Sequence, residues 1–177
     1  MPHIHTGPGE HDQTISIYII RLDTPEPTAL LHMHRKLHRL MPIGGHIELD
    51  ENPWQTVAHE LTEESGYVLD DLELLQPVDR IKSLPLTMIL PYPLVMNAHK
   101  FPDLDHYHSD TAYLFVATSE PHMPVGEGES TDLRWVSRAE LDAIHAPEII
   151  QFTKEVYDYV FDVCLAKWEK VNPNDFS

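Results

Sequence analysis

Residues 45 to 67 constrain this chain more than any other stretch, because they combine a glycine turn, a punctuated helix and a tight group of carboxylates. Asn52 is a strong N-cap, Pro53 suits the first helical position, and Gly66 fits the left-handed residue just past the end. The segment therefore predicts a helix over 53–65. Trp54, Val57, Ala58 and Leu61 recur at i, i+3, i+4 and i+7 and form its buried stripe. Glu60, Glu63 and Glu64 fall outside that stripe, within an arc of roughly 100° at 3.6 residues per turn, so their carboxylates can converge. They also occupy the last two turns, where the helix dipole disfavours negative charge. Each like-charge pair costs about 0.2–0.5 kcal/mol, a penalty that a bound divalent cation converts into binding energy. The competing reading is a solvated acidic face on a surface helix.

The spacing argues against that competitor. Gly45, Glu51, Glu60, Leu61, Glu63, Glu64, Gly66 and Tyr67 match, in register, the signature Gly, five residues, Glu, seven residues, Arg-Glu-apolar-x-Glu-Glu-x-Gly-apolar. In this the chain resembles the Nudix (MutT-like) hydrolases. Two departures stand out: His59 replaces the arginine, and the Pro-Gly-Gly lead-in reads Pro42-Ile43-Gly44-Gly45. In the family that arginine is chiefly a structural and electrostatic partner of the glutamates, so a histidine replaces it weakly and in a pH-dependent way.

The resemblance implies an α/β/α sandwich with a mixed β-sheet between helices. It implies a metal-dependent hydrolase of a diphosphate linkage in a nucleoside diphosphate linked to another group, using Mg²⁺ or Mn²⁺. Carried over by position, Gly44, Glu60, Glu63 and Glu64 are the metal ligands, with Glu60 and Glu63 also catalytic candidates. Family members take the catalytic base either from the box or from a later loop. The acidic loop Gly126-Glu127-Gly128-Glu129-Ser130 is therefore a second source, with Glu129 or Glu127 completing the site. The alternative is a catalytically weak or inactive nucleotide-binding module on the same fold. A phosphate-linked isomerase such as isopentenyl-diphosphate isomerase would need a nucleophilic cysteine, and the single Cys164 falls in an apolar helical stripe.

The 177 residues suit one domain, expected as a flexible lead over 1–13 and a single unit over 14–177. Twelve basic and 29 acidic residues give a formal charge of −17, which disfavours a nucleic-acid polymer or an anionic membrane as partner. A small phosphorylated substrate meets the same repulsion, so it needs a cation or a local basic patch. His34-Arg35-Lys36-Leu37-His38-Arg39 is the one dense basic run, making Arg35, Lys36 and Arg39 candidate phosphate contacts. One cysteine allows no internal disulfide, and no 18-residue apolar run or signal core is present, so a cytoplasmic protein is expected, with a homodimer as an open possibility.

Along the chain, Thr14 to Leu22 and Ala29 to Met33 predict a hairpin. Leu72 to Pro77 and Arg80 to Leu84 predict further strands, with Pro85, Pro91 and Pro93 confining the next segment to edges or loops. Thr111 to Thr118 reads as a central strand and Leu133 to Val136 as a short one, followed by a capping box at Ser137 and Glu140. Pro147 to about Val171 predicts a long terminal helix with an apolar stripe. His106, His108 and Asp110 share a face if extended. They could make a two-histidine, one-carboxylate metal site or hold a phosphate, and the plainer reading is a polar strand entrance.

Overall fold

The backbone is organised around two long parallel neighbours, β1 (His11–Arg21) and β6 (Tyr107–Ala117), paired in register from His11 opposite Tyr107 to Arg21 opposite Ala117. A computed structural model of the chain describes residues 6–100 and 105–176. The remaining strands are β2 (Thr28–Met33), β3 (Leu40–Met41), β4 (Leu72–Gln76), β5 (Val95–His99), β7 (Leu133–Ser137) and β8 (Glu169–Val171). Among the described residues these form one mixed sheet, ordered β3-β2-β1-β6-β4-β8, with β5 beside β6 and β7 beside β2. Alternation along β1 and β6 sorts their side chains between two cores.

On one face, Ile15, Ile17, Ile19, Tyr113 and Phe115 pack under α1 (Pro53–Ser65), which contributes Trp54, Val57 and Leu61. Trp54 stacks on Phe115 at 5.9 Å and meets Tyr113 edge-on at 5.4 Å. On the other face, Tyr18, Ile20, Ala112, Leu114 and Val116 pack against Tyr157, Val160 and Cys164 of the C-terminal helical region. Each fully buried aliphatic or aromatic side chain contributes about 1.5–3 kcal/mol, so the sheet is held from both sides. Helices therefore cover both faces of a mixed sheet, as expected. No helix among the described residues is long and apolar enough to cross a membrane.

The punctuation of α1 follows the sequence. Asn52 Oδ1 accepts the backbone N–H groups of Trp54 and Gln55 at 2.9 and 3.1 Å, and Gln55 Oε1 accepts the Asn52 N–H in return. Gly66 closes the helix at φ 75°, where a Cβ would stand 2.1 Å from the Met123 carbonyl oxygen. Ser137 and Glu140 likewise form the expected capping box of α2 (Arg138–Ala143).

Three expectations are corrected. The first strand starts at His11 rather than Thr14, because β6 offers partners down to Tyr107. Arg80 to Leu84 is not a strand: Pro85 follows it, and Leu84 makes only an isolated bridge to Thr87. The terminal helix is shorter and broken. It runs as α3 (Gln151–Tyr159), a π-helical turn Val160–Cys164 and a last turn Leu165–Lys167, then straightens into β8, which pairs with β4. Free ladder positions on β4 outcompete helix continuation once the chain reaches Glu169. Cys164 is buried in the core as expected, and burial pushes its thiol up to about 12.

Candidate active site

The box loop is laid along β1 as an irregular neighbour. Ile15 and Ile17 donate their N–H groups to Gly45 and Ile43 carbonyls at 2.9 and 2.8 Å, and Ile47 donates to the Gln13 carbonyl at 2.9 Å. β2 pairs with the C-terminal end of β1, and this loop takes over the same edge further down. Two glycines make that approach possible. Gly44 sits at φ 144°, and a Cβ there would stand 2.2 Å from the Ile15 carbonyl oxygen. At Gly45 a Cβ would meet Glu60 Oε1 at 2.0 Å, so the missing side chain is space that a carboxylate uses.

The glutamates of α1 divide by environment. Glu64 is only 8% exposed and accepts the Gly44 N–H at 2.8 Å. Helical spacing places it three residues beyond Leu61, at the margin of the buried stripe, so its burial corrects the expectation that all three acids lie outside that stripe. Burial raises it well above the ordinary carboxylate range; Glu60 and Glu129 add to this, and the Gly44 N–H opposes it. Glu60 is pushed up to about 7, by burial first, with His59 opposing and Glu63, Glu129 and Glu51 adding. Glu63 is half-exposed and turns toward His59, whose Nε2 lies 3.1 Å from Glu63 Oε1.

His59 bridges two box positions, because its Nδ1 also lies 3.8 Å from Glu51 Oε1. Burial works against the charged imidazole, but Glu63, Glu60 and Glu51 together raise it. Glu51 is fixed on its other oxygen by the Thr56 hydroxyl at 2.8 Å. The histidine thus stands among the box carboxylates.

A distant loop joins this cluster. Gly126 N–H donates to the Glu63 carbonyl at 2.6 Å, and the Glu129 N–H returns to the Gly126 carbonyl at 3.2 Å, folding the acidic loop over the end of α1. Glu129 comes near enough to Glu64 and Glu60 to raise both. Arg35 Nη1 donates to the Gly128 carbonyl, tying the basic run to this loop. Lys36 and Arg39 are exposed on the β2–β3 turn.

His32 is a residue that sequence reasoning passed over. It is 3% exposed on β2, its Nδ1 lies 3.7 Å from Glu64 Oε2, and among the described residues neither ring nitrogen has a hydrogen-bond partner. Burial, with His34, lowers it to about 4, so it faces the carboxylates as a neutral imidazole. The available signal was its position in the alternation of β2, one strand from the box loop.

His106 and His108 lie elsewhere. By alternation with Ala112 and Leu114 they share the α3 face of the sheet, and His99, beside His108, contacts Phe152 of α3 at 5.3 Å. Asp110 does not join them. Its Oδ1 accepts the Thr14 and Ser16 hydroxyls at 2.9 and 3.1 Å, and Asn97 approaches Oδ2 at 3.4 Å. Burial still pushes Asp110 up to about 6.

Glu64, buried, and Glu60, half-buried, both with raised proton affinity beside a glycine backbone, form an oxygen-rich group that could hold a hard divalent cation. The donor set fits Mg²⁺ or Mn²⁺ and offers no sulfur and little nitrogen for a softer ion.

The NUDIX domain family matches residues 12–160. Among solved structures, a NUDIX-family hydrolase from Clostridium perfringens is similar, with 28% identity, 86% of this chain and 97% of that chain covered, and a TM-score of 0.69. A C. elegans Ap4A hydrolase in a binary complex matches at 17% identity, covering 88% and 98%, with a TM-score of 0.62. The NUDIX domain of Shewanella oneidensis NrtR, complexed with ADP ribose, matches at 15% identity, covering 85% and 88%, with a TM-score of 0.60. No curated protein sequence matches this one.

Proposed function

The chain belongs to the Nudix family of hydrolases, and from that premise we propose that it uses Mg²⁺ or Mn²⁺ to split the diphosphate linkage of a nucleoside diphosphate carrying a further group. The observation that carries this reading is the convergence of Glu60, Glu64 and Glu129 beside Gly44. Support for a small nucleotide substrate comes from the Ap4A hydrolase and the ADP-ribose complex among its structural relatives.

In this reading Glu60, Glu63 and Glu64, with the Gly44 carbonyl, would hold the cation, whose charge would offset that of the diphosphate oxygens and lower the pKa of the attacking water. Glu129 approaches from its loop and takes the proton that the water gives up. Arg35 links that loop to the basic run, so Arg35, Lys36 and Arg39 steer the polyphosphate toward an otherwise acidic protein. His32, neutral and buried against Glu64, helps keep water from its inner oxygen.

A panel of nucleoside triphosphates, nucleotide sugars, ADP-ribose, dinucleoside polyphosphates and noncanonical nucleotides tests the proposal with Mg²⁺ and with Mn²⁺. Labelled water reports which phosphorus is attacked. Metal-dependent turnover that disappears in a folded Glu64→Gln variant is the expected result. Tight nucleotide binding with no turnover across the panel would identify a binding module instead.

A further inference from the structure

We infer that His46, His106 and His108 form a binding site for a transition-metal ion of the Zn²⁺ class, separate from the carboxylate cradle. One ring nitrogen of each residue lies within 4.8 Å of the other two. The Nε2 atoms of His106 and His108 are 3.2 Å apart. Two nitrogens each about 2.0–2.1 Å from a tetrahedral ion are separated by about 3.3–3.4 Å, so this pair already stands near the required spacing. The His46 and His108 rings meet at 5.0 Å between centroids, nearly perpendicular at 86°.

The elements that bring the three together are far apart in sequence. His46 follows the box glycines and bridges to Thr14 of β1, while His108 lies at the start of β6 and His106 immediately before it, with β6 running parallel beside β1. The buried hydrogen bonds from Thr14 and Ser16 to Asp110 lock that pairing, so the strand ends carrying the histidines have little freedom to move apart. Asp12, 3% exposed, points Oδ2 at His46 Nε2 from 3.6 Å. A carboxylate against an imidazole is a common outer partner of a metal-bound histidine, fixing its ring and raising its basicity.

The donor chemistry separates this site from the first. Three imidazoles suit Zn²⁺, Co²⁺ or Ni²⁺ and leave a fourth position for water or a ligand oxygen, whereas Mg²⁺ prefers oxygen. The site also lies toward the α3 face, across the sheet from α1.

The test uses the whole chain and metal ions alone. With excess Mg²⁺ occupying the carboxylates, calorimetric titration with Zn²⁺ is expected to show one site per chain. His106→Asn and His108→Asn each weaken it at least about tenfold, and Asp12→Asn weakens it about 10- to 100-fold as a positioning residue. Glu64→Gln leaves it unchanged, as does His122→Ala at an exposed histidine whose Nδ1 lies 3.1 Å from Asp71 Oδ2, outside the cluster. Co²⁺ added to the unaltered protein gives the intense visible bands of a four-coordinate site, a readout that needs no variant to fold. Equal Zn²⁺ binding in the parent and both histidine variants, loss in Glu64→Gln instead, or only the pale spectrum of six-coordinate Co²⁺ would each overturn the inference.

Discussion

The two polar clusters of this protein, carboxylates under α1 and histidines toward α3, are built by opposite means. The carboxylates come from one helix and its adjoining glycine loop, with Glu129 recruited by a second loop. Burial first, and neighbouring carboxylates second, raise Glu60 and Glu64 there. The histidines come from the box loop and from the start of β6, far apart in sequence, and one ring nitrogen of each lies within 4.8 Å of the other two. In the proposed reading, one cluster would present carboxylate oxygens to a hard cation and the other imidazole nitrogens to a softer one.

Catalysis offers the strongest means of upsetting this contrast. Glu64→Gln keeps the shape and removes the charge, so kcat should fall by about 10²–10³-fold or more, measured by phosphate or nucleotide release with circular dichroism confirming the fold. Undiminished turnover would move the chemistry away from the carboxylates. Gly45→Ala comes next: its Cβ would occupy the position of Glu60 Oε1, and displacing that carboxylate should cost on the order of 10²-fold in activity. Gly44→Ala should differ in kind, because its clash is with the Ile15 backbone at a φ unsuited to alanine. We expect about 1–3 kcal/mol of lost stability in denaturant titration.

A smaller effect concerns pH. Glu60 has a folded pKa raised above its ordinary 4.5 to about 7, so without metal the stability it contributes is complete below about 4.5 and lost as pH rises through about 7. Glu64 shifts in the same direction. His32 and His108 act oppositely, since their depressed values give stability that is lost as pH falls below 6.5 toward 4. Absolute melting temperatures therefore mix the two clusters, whereas the Mg²⁺-dependent increment isolates the carboxylates. At 100 times its dissociation constant Mg²⁺ adds about 2.7 kcal/mol, or about 5–10 °C for a chain of this size. The increment at fixed Mg²⁺ should be larger at pH 8 than at pH 5.5, where protons compete, and an equal or inverted increment would count against a carboxylate site. The mildest change belongs to His59→Ala. Its pair with Glu63 is half-exposed and screened, so thermal unfolding should register at most about 0.5 kcal/mol.

Legibility followed sequence distance. The cap at Asn52, Pro53 at the helix start and Gly66 at its end are decided by neighbours three or four residues away, so α1 could be delimited from the string alone. The end of the chain could not. The apolar stripe after Pro147 is helical in period, but the ladder on β4 that captures residues 169–171 is contributed almost a hundred residues earlier. The face shared by His106, His108 and Asp110 was readable from alternation, yet Asp110 turned to hydroxyls on β1 and His46 took its place beside the imidazoles. No local pattern carries that exchange.

Amino-acid order alone was enough for the helix, its carboxylate spacing and the family, because caps, periodicity and a fixed-interval motif are local physics. Tertiary packing was needed to bury Glu64 against Gly44 while Glu63 faces His59, to close Glu129 on the same cluster, and to bring three histidines together across β1 and β6. Those outcomes depend on which strands pair and which loops they bring near, and the parallel β1–β6 ladder is a long-range choice that no short stretch of the chain encodes.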